Sequence, residues 1–148
     1  MPAITAADVG GGTFPSGIFS FTTPPAVFSY TTKEVIKSSS GTLSATEVSN
    51  TIINNYGQSA INTLTLPAAA LGLCFTVIVS STGTAIHVKA GAGDCIYLQS
   101  TKLDDADKVS LTTPLVGDSA TFFAFQSGSG SYDWKCLIMD GLWFDGGV

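Results

Sequence analysis

The sequence predicts an all-β domain, an antiparallel β-sandwich or barrel-like fold of about 8–10 short strands, with an extended N-terminal arm. Three observations predict it. Short segments rich in β-branched and aromatic residues recur from Val27 to Met139, punctuated by Gly, Ser, Asn and Pro. Several of them alternate apolar and polar residues, as a strand with one covered face requires. Charged residues make up only 11% of the chain, against about 25% in a usual globular protein. Ser, Thr, Gly and Asn take their place, which suits neutral outward faces and surfaces that pack on other subunits.

Residues 1–26 form the arm. Gly10-Gly11-Gly12, Pro15, Gly17 and Pro24-Pro25 oppose regular structure. Phe14, Phe19 and Phe21 are more apolar than a free linker requires, so the arm is expected to dock on a neighbouring surface; the alternative is an arm folded back on its own domain. Residues 27–148 form the domain. Its first strand is expected within Val27–Lys37, before a turn at Ser38–Gly41. Ser44-Ala45-Thr46-Glu47 matches a capping box, with room for a single helical turn. Thr51–Asn54 is a strand closed by Asn55-Tyr56-Gly57. Ile61–Leu66 alternates, with Leu64 and Leu66 on one face and Thr63 and Thr65 on the other, until Pro67 ends it.

Leu73–Ser80 is apolar on both faces, as expected of a strand covered on both sides. Thr84–Lys89 turns Ile86 and Val88 inward and His87 and Lys89 outward. A turn at Gly91–Asp94 leads to a strand at Cys95–Gln99. Lys102–Lys108 is expected to be a solvated loop, followed by a short strand at Val109–Thr113 and a turn at Val116–Ser119. Ser119–Gln126 and Tyr132–Met139 form the clearest hairpin, joined by a Ser/Gly loop. No repeat of 20–50 residues stands out, so a solenoid is not expected.

Composition also bears on function. The chain has one histidine, three cysteines and no arginine, with a net charge of −5. Catalysis concentrates titratable groups, and this chain disperses them; we expect no enzyme and no cofactor. Acidity and scattered lysines disfavour nucleic acid, and no apolar run has the roughly 20 residues a membrane helix needs. MPAITAADVGGG lacks a basic region and an apolar core, so no signal peptide is expected, and the chain is expected to fold in a host cytoplasm. Cys74, Cys95 and Cys136, odd in number and widely spaced, fit buried apolar positions.

The candidate sites are few. Asp104, Asp105 and Asp107 form a DDxD cluster, but the glycine and glutamate of an EF-hand are missing, and no metal is expected. His87 has no acid nearby, and Gly91-Ala92-Gly93-Asp94 lacks the ending of a phosphate loop. Tyr56, Tyr97, Trp134 and Trp143 are candidates for stacking on sugars, with core packing as the commoner fate. Trp143 and Phe144, flanked by glycine near the chain end, read as an interface anchor.

Three segments carry a resemblance. They are Ser40-Gly41-Thr42-Leu43-Ser44-Ala45-Thr46-Glu47-Val48-Ser49 running into Thr51–Gln58, then Leu64-Thr65-Leu66-Pro67-Ala68-Ala69-Ala70 with Phe75–Val79, and Tyr132-Asp133-Trp134-Lys135 ending in Gly141-Leu142-Trp143. Over residues 38–144 the pattern resembles small β-domain virion proteins of tailed bacteriophages. The resemblance implies a capsid decoration (cement), head-fibre or tail-associated module, often trimeric, located in the virion. Its partners would be copies of itself and a major capsid or other virion protein. It supplies no catalytic residues. A carbohydrate-binding adhesin domain of a receptor-binding fibre is the alternative.

Overall fold

Alternation of buried and outward residues along the strands builds two layers. The computed structural model describes residues 33–147, so Phe14, Phe19, Phe21 and the first part of the expected strand at Val27–Lys37 lie outside the described residues. Among these residues, twelve strands form one seven-stranded and one five-stranded sheet. The all-β class is as expected, but the strand order is not purely antiparallel.

The first half is a coil. β1 (Lys33–Ile36), β3 (Ser49–Asn54) and β5 (Cys74–Ile78) lie in the larger sheet, and β2 (Gly41–Thr42), β4 (Asn62–Thr65) and β6 (Ile86–Lys89) lie in the smaller. The chain visits the sheets in turn, and successive visits to one sheet lie side by side and parallel. Parallel neighbours need a crossover; here a strand of the opposite sheet supplies it, so no helix is required. Ile53 lies beside Val77 and Leu64 beside Val88, each 24 residues further on. A short solenoid is therefore present, contrary to the sequence expectation. Its repeat is carried by strand positions more than by identities: Thr42-Leu43-Ser44-Ala45 and Thr65-Leu66-Pro67-Ala68 are equivalent and share three residues, but in the next turn Lys89 stands opposite Thr65, and the first offset in the larger sheet, Lys33 to Thr51, is only 18.

The second half closes the layers with mostly antiparallel pairs. β9 (Lys108–Leu111) joins β6, and β12 (Phe144–Asp145) joins β9. The hairpin of β10 (Ser119–Gly128) and β11 (Ser131–Asp140) adds to β5. β7 (Ile96–Leu98) runs parallel to β11, and β8 (Thr101–Lys102) forms the edge beyond it.

Inward residues of both sheets share one core. Phe75 stacks on Phe122 at 5.2 Å between centroids and meets Trp134 edge-on at 5.9 Å, the offset geometries that ring quadrupoles favour. Trp134 is fully buried and its Nε1 donates to Pro67 O at 3.3 Å. The strand β5 is buried on one face only; Cys74, Thr76 and Ile78 are half-buried on the other.

Polar groups hold the turns between coils. Asn55, buried, accepts from Ser80 N and Ser81 N through Oδ1 and donates from Nδ2 to Ser81 O. Gln58 Nε2 donates to Thr84 Oγ1 and Ala85 O. Two successive turns are thereby joined by side chains that satisfy buried backbone groups. Ser44 and Glu47 form half of the expected capping box: Ser44 N donates to the Glu47 carboxylate, but Ser44 Oγ donates there too, and Glu47 N donates to Ser44 O instead of the hydroxyl; the carboxylate also pairs with Lys37. Gly141 has φ +92°, and a Cβ there would lie 2.7 Å from Asp118 Cγ, so only glycine fits.

Candidate functional site

The two sheets present different mixtures of side chains to the outside. Strand register lays their outward side chains in rows. On the smaller sheet one row is Thr63, His87, Ser110 and the exposed Phe144, and the next is Thr42, Thr65, Lys89 and Lys108. Apart from the phenyl ring at the edge, these are hydroxyl, imidazole and ammonium groups.

On the larger sheet one row runs Glu34, Ile52, Thr76, Thr121, Leu137 across five strands. A second runs Cys74, Phe123, Lys135, Tyr97, Lys102. Toward the end where β1, β3 and β5 finish, Ile36, Asn54, Ile78, Ser119 and the exposed Asp140 make a third. Thr76 and Thr121 share a hydroxyl hydrogen bond of 2.9 Å, which leaves the middle of the face uncharged. Leu137 is 42% exposed and Ile36 and Met139 more so. Chain passages at that same end add exposed Tyr56, Ile61, Leu115, Val116 and Leu142. Scattered apolar side chains on a surface need no explanation, but a contiguous apolar face marks an interaction site.

Aromatics shape one part of this face. Tyr97 and Phe125 meet edge-on at 5.2 Å, and Lys102 Nζ lies 5.6 Å from the Tyr97 ring centroid. Tyr97 and Phe125, with Phe123, Ser100 and Lys135, line an open cavity of about 370 Å³.

The residues singled out by sequence separate in this structure. Trp143 is a core residue, 4% exposed, with Nε1 donating to Asp140 O at 3.0 Å. It is therefore not available as an exposed anchor; Phe144, its neighbour on β12, is 43% exposed. Trp134 is likewise buried, so of the four sugar-stacking candidates only Tyr56 and Tyr97 reach the surface. The acidic loop is only partly solvated. Leu103 and Asp107 are buried, Asp105 accepts from Gly93 N, and Asp107 accepts from Lys108 N. These carboxylates cap turns, and no metal-binding group of His, Cys, Asp and Glu is formed among the described residues.

His87 gains a partner that sequence reading missed. Its Nδ1 lies 2.8 Å from Ser110 Oγ. The two stand side by side in register on β6 and β9, so the contact needed strand pairing to be seen. Ser110 is 1% exposed, and a side chain at Gly146 would collide with its hydroxyl. Covered in this way, the pair joins two strands instead of presenting a nucleophile. Burial and then the nearby Lys108 charge hold His87 below its ordinary pKa. Burial pushes the Cys136 thiol up to about 12 and raises Cys74 and Cys95 as well, which leaves all three as thiols.

The fold defines a two-layer all-β domain whose larger sheet bears more exposed apolar side chains on its outer face than the smaller. No protein-family model matches the chain, and no curated protein matches it.

Proposed function

We propose that this chain is a non-enzymatic structural subunit of a virion, a capsid decoration protein or a related fibre or tail module. It assembles as a closed symmetric oligomer, a trimer by its resemblance to tailed-phage β-domains, and docks by its N-terminal arm through Phe14, Phe19 and Phe21. The observation that carries this reading is the larger sheet's outer face, where exposed Ile36 and Leu137 stand near Phe123 and Phe125. Exposed apolar groups on one face mark an interaction surface, and close packing of copies removes them from water. Closed symmetry also hides sheet edges that would recruit other strands.

Deletion of residues 2–24 tests the arm. The truncated domain is expected to fold, with an unchanged β-rich circular dichroism spectrum, and to stop co-sedimenting with phage particles. Attachment equal to that of the full chain refutes the arm's role.

A second reading, a glycan-binding fibre domain, is favoured by the Tyr97–Phe125 pair beside Ser100 and Lys135. Its reporter is not tryptophan, since both tryptophans are buried. A saturable shift of the Tyr97 ring resonances on glycan titration is its expected signature.

A further inference from the structure

We infer that the cleft between the edge strands β8 and β12 binds a single neutral sugar ring, held by Phe144, Gln99, Thr101 and Asp145. This rests on the glycan-binding reading and gives the sugar a place apart from the Tyr97 face.

Strand alternation separates the two places. Tyr97 stands in the outward row of the larger sheet, and Leu98, next along β7, turns to the other side. Leu98 and Ile138 pack against the core, and with Trp143 they floor a cleft of about 300 Å³ at the flank where β8 ends one sheet and β12 the other. That volume lies at the small end of ligand pockets and suits one ring better than a chain.

The rim selects the ligand. Phe144 is 43% exposed, so its ring offers an apolar face at the mouth. Gln99, Thr101 and Asp145, all exposed, line the cleft beside it. An amide, a hydroxyl and a carboxylate together donate and accept hydrogen bonds at several points. Asp145 Oδ1 accepts from Gly147 N at 2.9 Å, which orients that carboxylate. A hydroxylated ring matches both parts, with an apolar face for the phenyl ring and donors and acceptors around its edge. A purely apolar ligand would take the rim groups out of water without replacing their hydrogen bonds. An anion would face Asp145, the only charge among the described residues that line the cleft.

Gln99 adds an independent observation. Its φ is +54°, in the left-handed region that residues with a Cβ seldom adopt, and it lacks the short side chain that eases Asn or Asp into it. Its backbone N–H donates to Cys136 O at 3.3 Å, a bond that glycine would make as well. Strained residues of this kind gather at ligand sites; here the strained position carries the amide at the rim.

The test is NMR titration of the full chain with the methyl glycosides of glucose, galactose, mannose and N-acetylglucosamine, and with methyl glucuronide as the anionic probe. At least one neutral glycoside is expected to shift the Phe144 ring, Gln99 side-chain and Thr101 amide resonances saturably, and the glucuronide to bind about tenfold more weakly than that glycoside. Phe144→Ala and Gln99→Gly are each expected to weaken the binding about tenfold, read at Thr101. Gln99→Gly is expected to keep or raise the urea midpoint, because glycine relieves the backbone. Binding that both variants leave unchanged, or shifts confined to Tyr97 and Phe125, overturn the cleft while the glycan-binding reading stands. Equal binding of the glucuronide overturns the choice of a neutral ring. No saturable shift at either place overturns both the cleft and that reading.

Discussion

Two adjacent aromatic residues, Trp143 just before β12 and Phe144 at its start, end in opposite environments. Trp143 faces the core and donates a hydrogen bond to Asp140 O, while Phe144 faces outward beside Ser110. Trp143→Ala is therefore expected to cost about 3–5 kcal/mol, the usual loss for a large buried aromatic. Phe144→Ala is expected to change stability by about 0.5 kcal/mol or less. Urea midpoints of the two variants check both, and equal losses would contradict the division. In the sequence the two residues read as one anchor flanked by glycine. Nothing local marks which ring is inward, since the strand is two residues long and its partner β9 lies more than thirty positions earlier.

At the scale of elements, the strands were largely legible and their partners were not. The hairpin of β10 and β11 follows from two alternating runs around a Ser/Gly loop, and it is formed as expected. The inward positions of β4 and β6 follow from alternation in the same way. The coil was hidden because its repeat keeps Thr-Leu-x-Ala in only two turns, at Thr42–Ala45 and Thr65–Ala68, and its turns differ in length. The Asn55 and Gln58 links were hidden for a related reason: their acceptors and donors lie 25–27 positions along the chain. The face of the larger sheet required the register of seven strands before its rows could be seen.

The first turn of the coil carries a pH dependence. A hydrogen bond from Lys37, then those from Ser44, hold the Glu47 carboxyl at about 2, below its ordinary 4.5. The folded state therefore favours the carboxylate. Its contribution is present above about pH 4.5 and is lost as pH falls toward 2, and solvent screening holds it to about 1 kcal/mol. Glu47→Gln is expected to be less stable than the wild type at pH 6 and equal to it near pH 2, in urea titrations across that range. A constant difference at every pH would show that the carboxylate is not responsible.

For the whole molecule, two halves of unlike topology share one core. The coil pairs each strand with the one a turn earlier, so its contacts close over about two dozen residues. The second half is threaded between distant partners, and β10 completes the layer by joining β5. Thr76 and Thr121, which face each other across that junction, are 45 residues apart. That separation has a consequence during synthesis. At about 5–20 residues per second, a ribosome needs roughly 2–9 s to pass from one to the other. Throughout that interval β5, which carries Phe75 and Val77, has β3 on one side and an unpaired edge on the other. Ribosome-bound chains stalled before residue 119 are expected to recruit chaperones and to pellet when released, whereas chains released after residue 140 stay in solution. The order of manufacture, more than the finished architecture, sets when this protein is most exposed to its own neighbours in a cell making many copies at once.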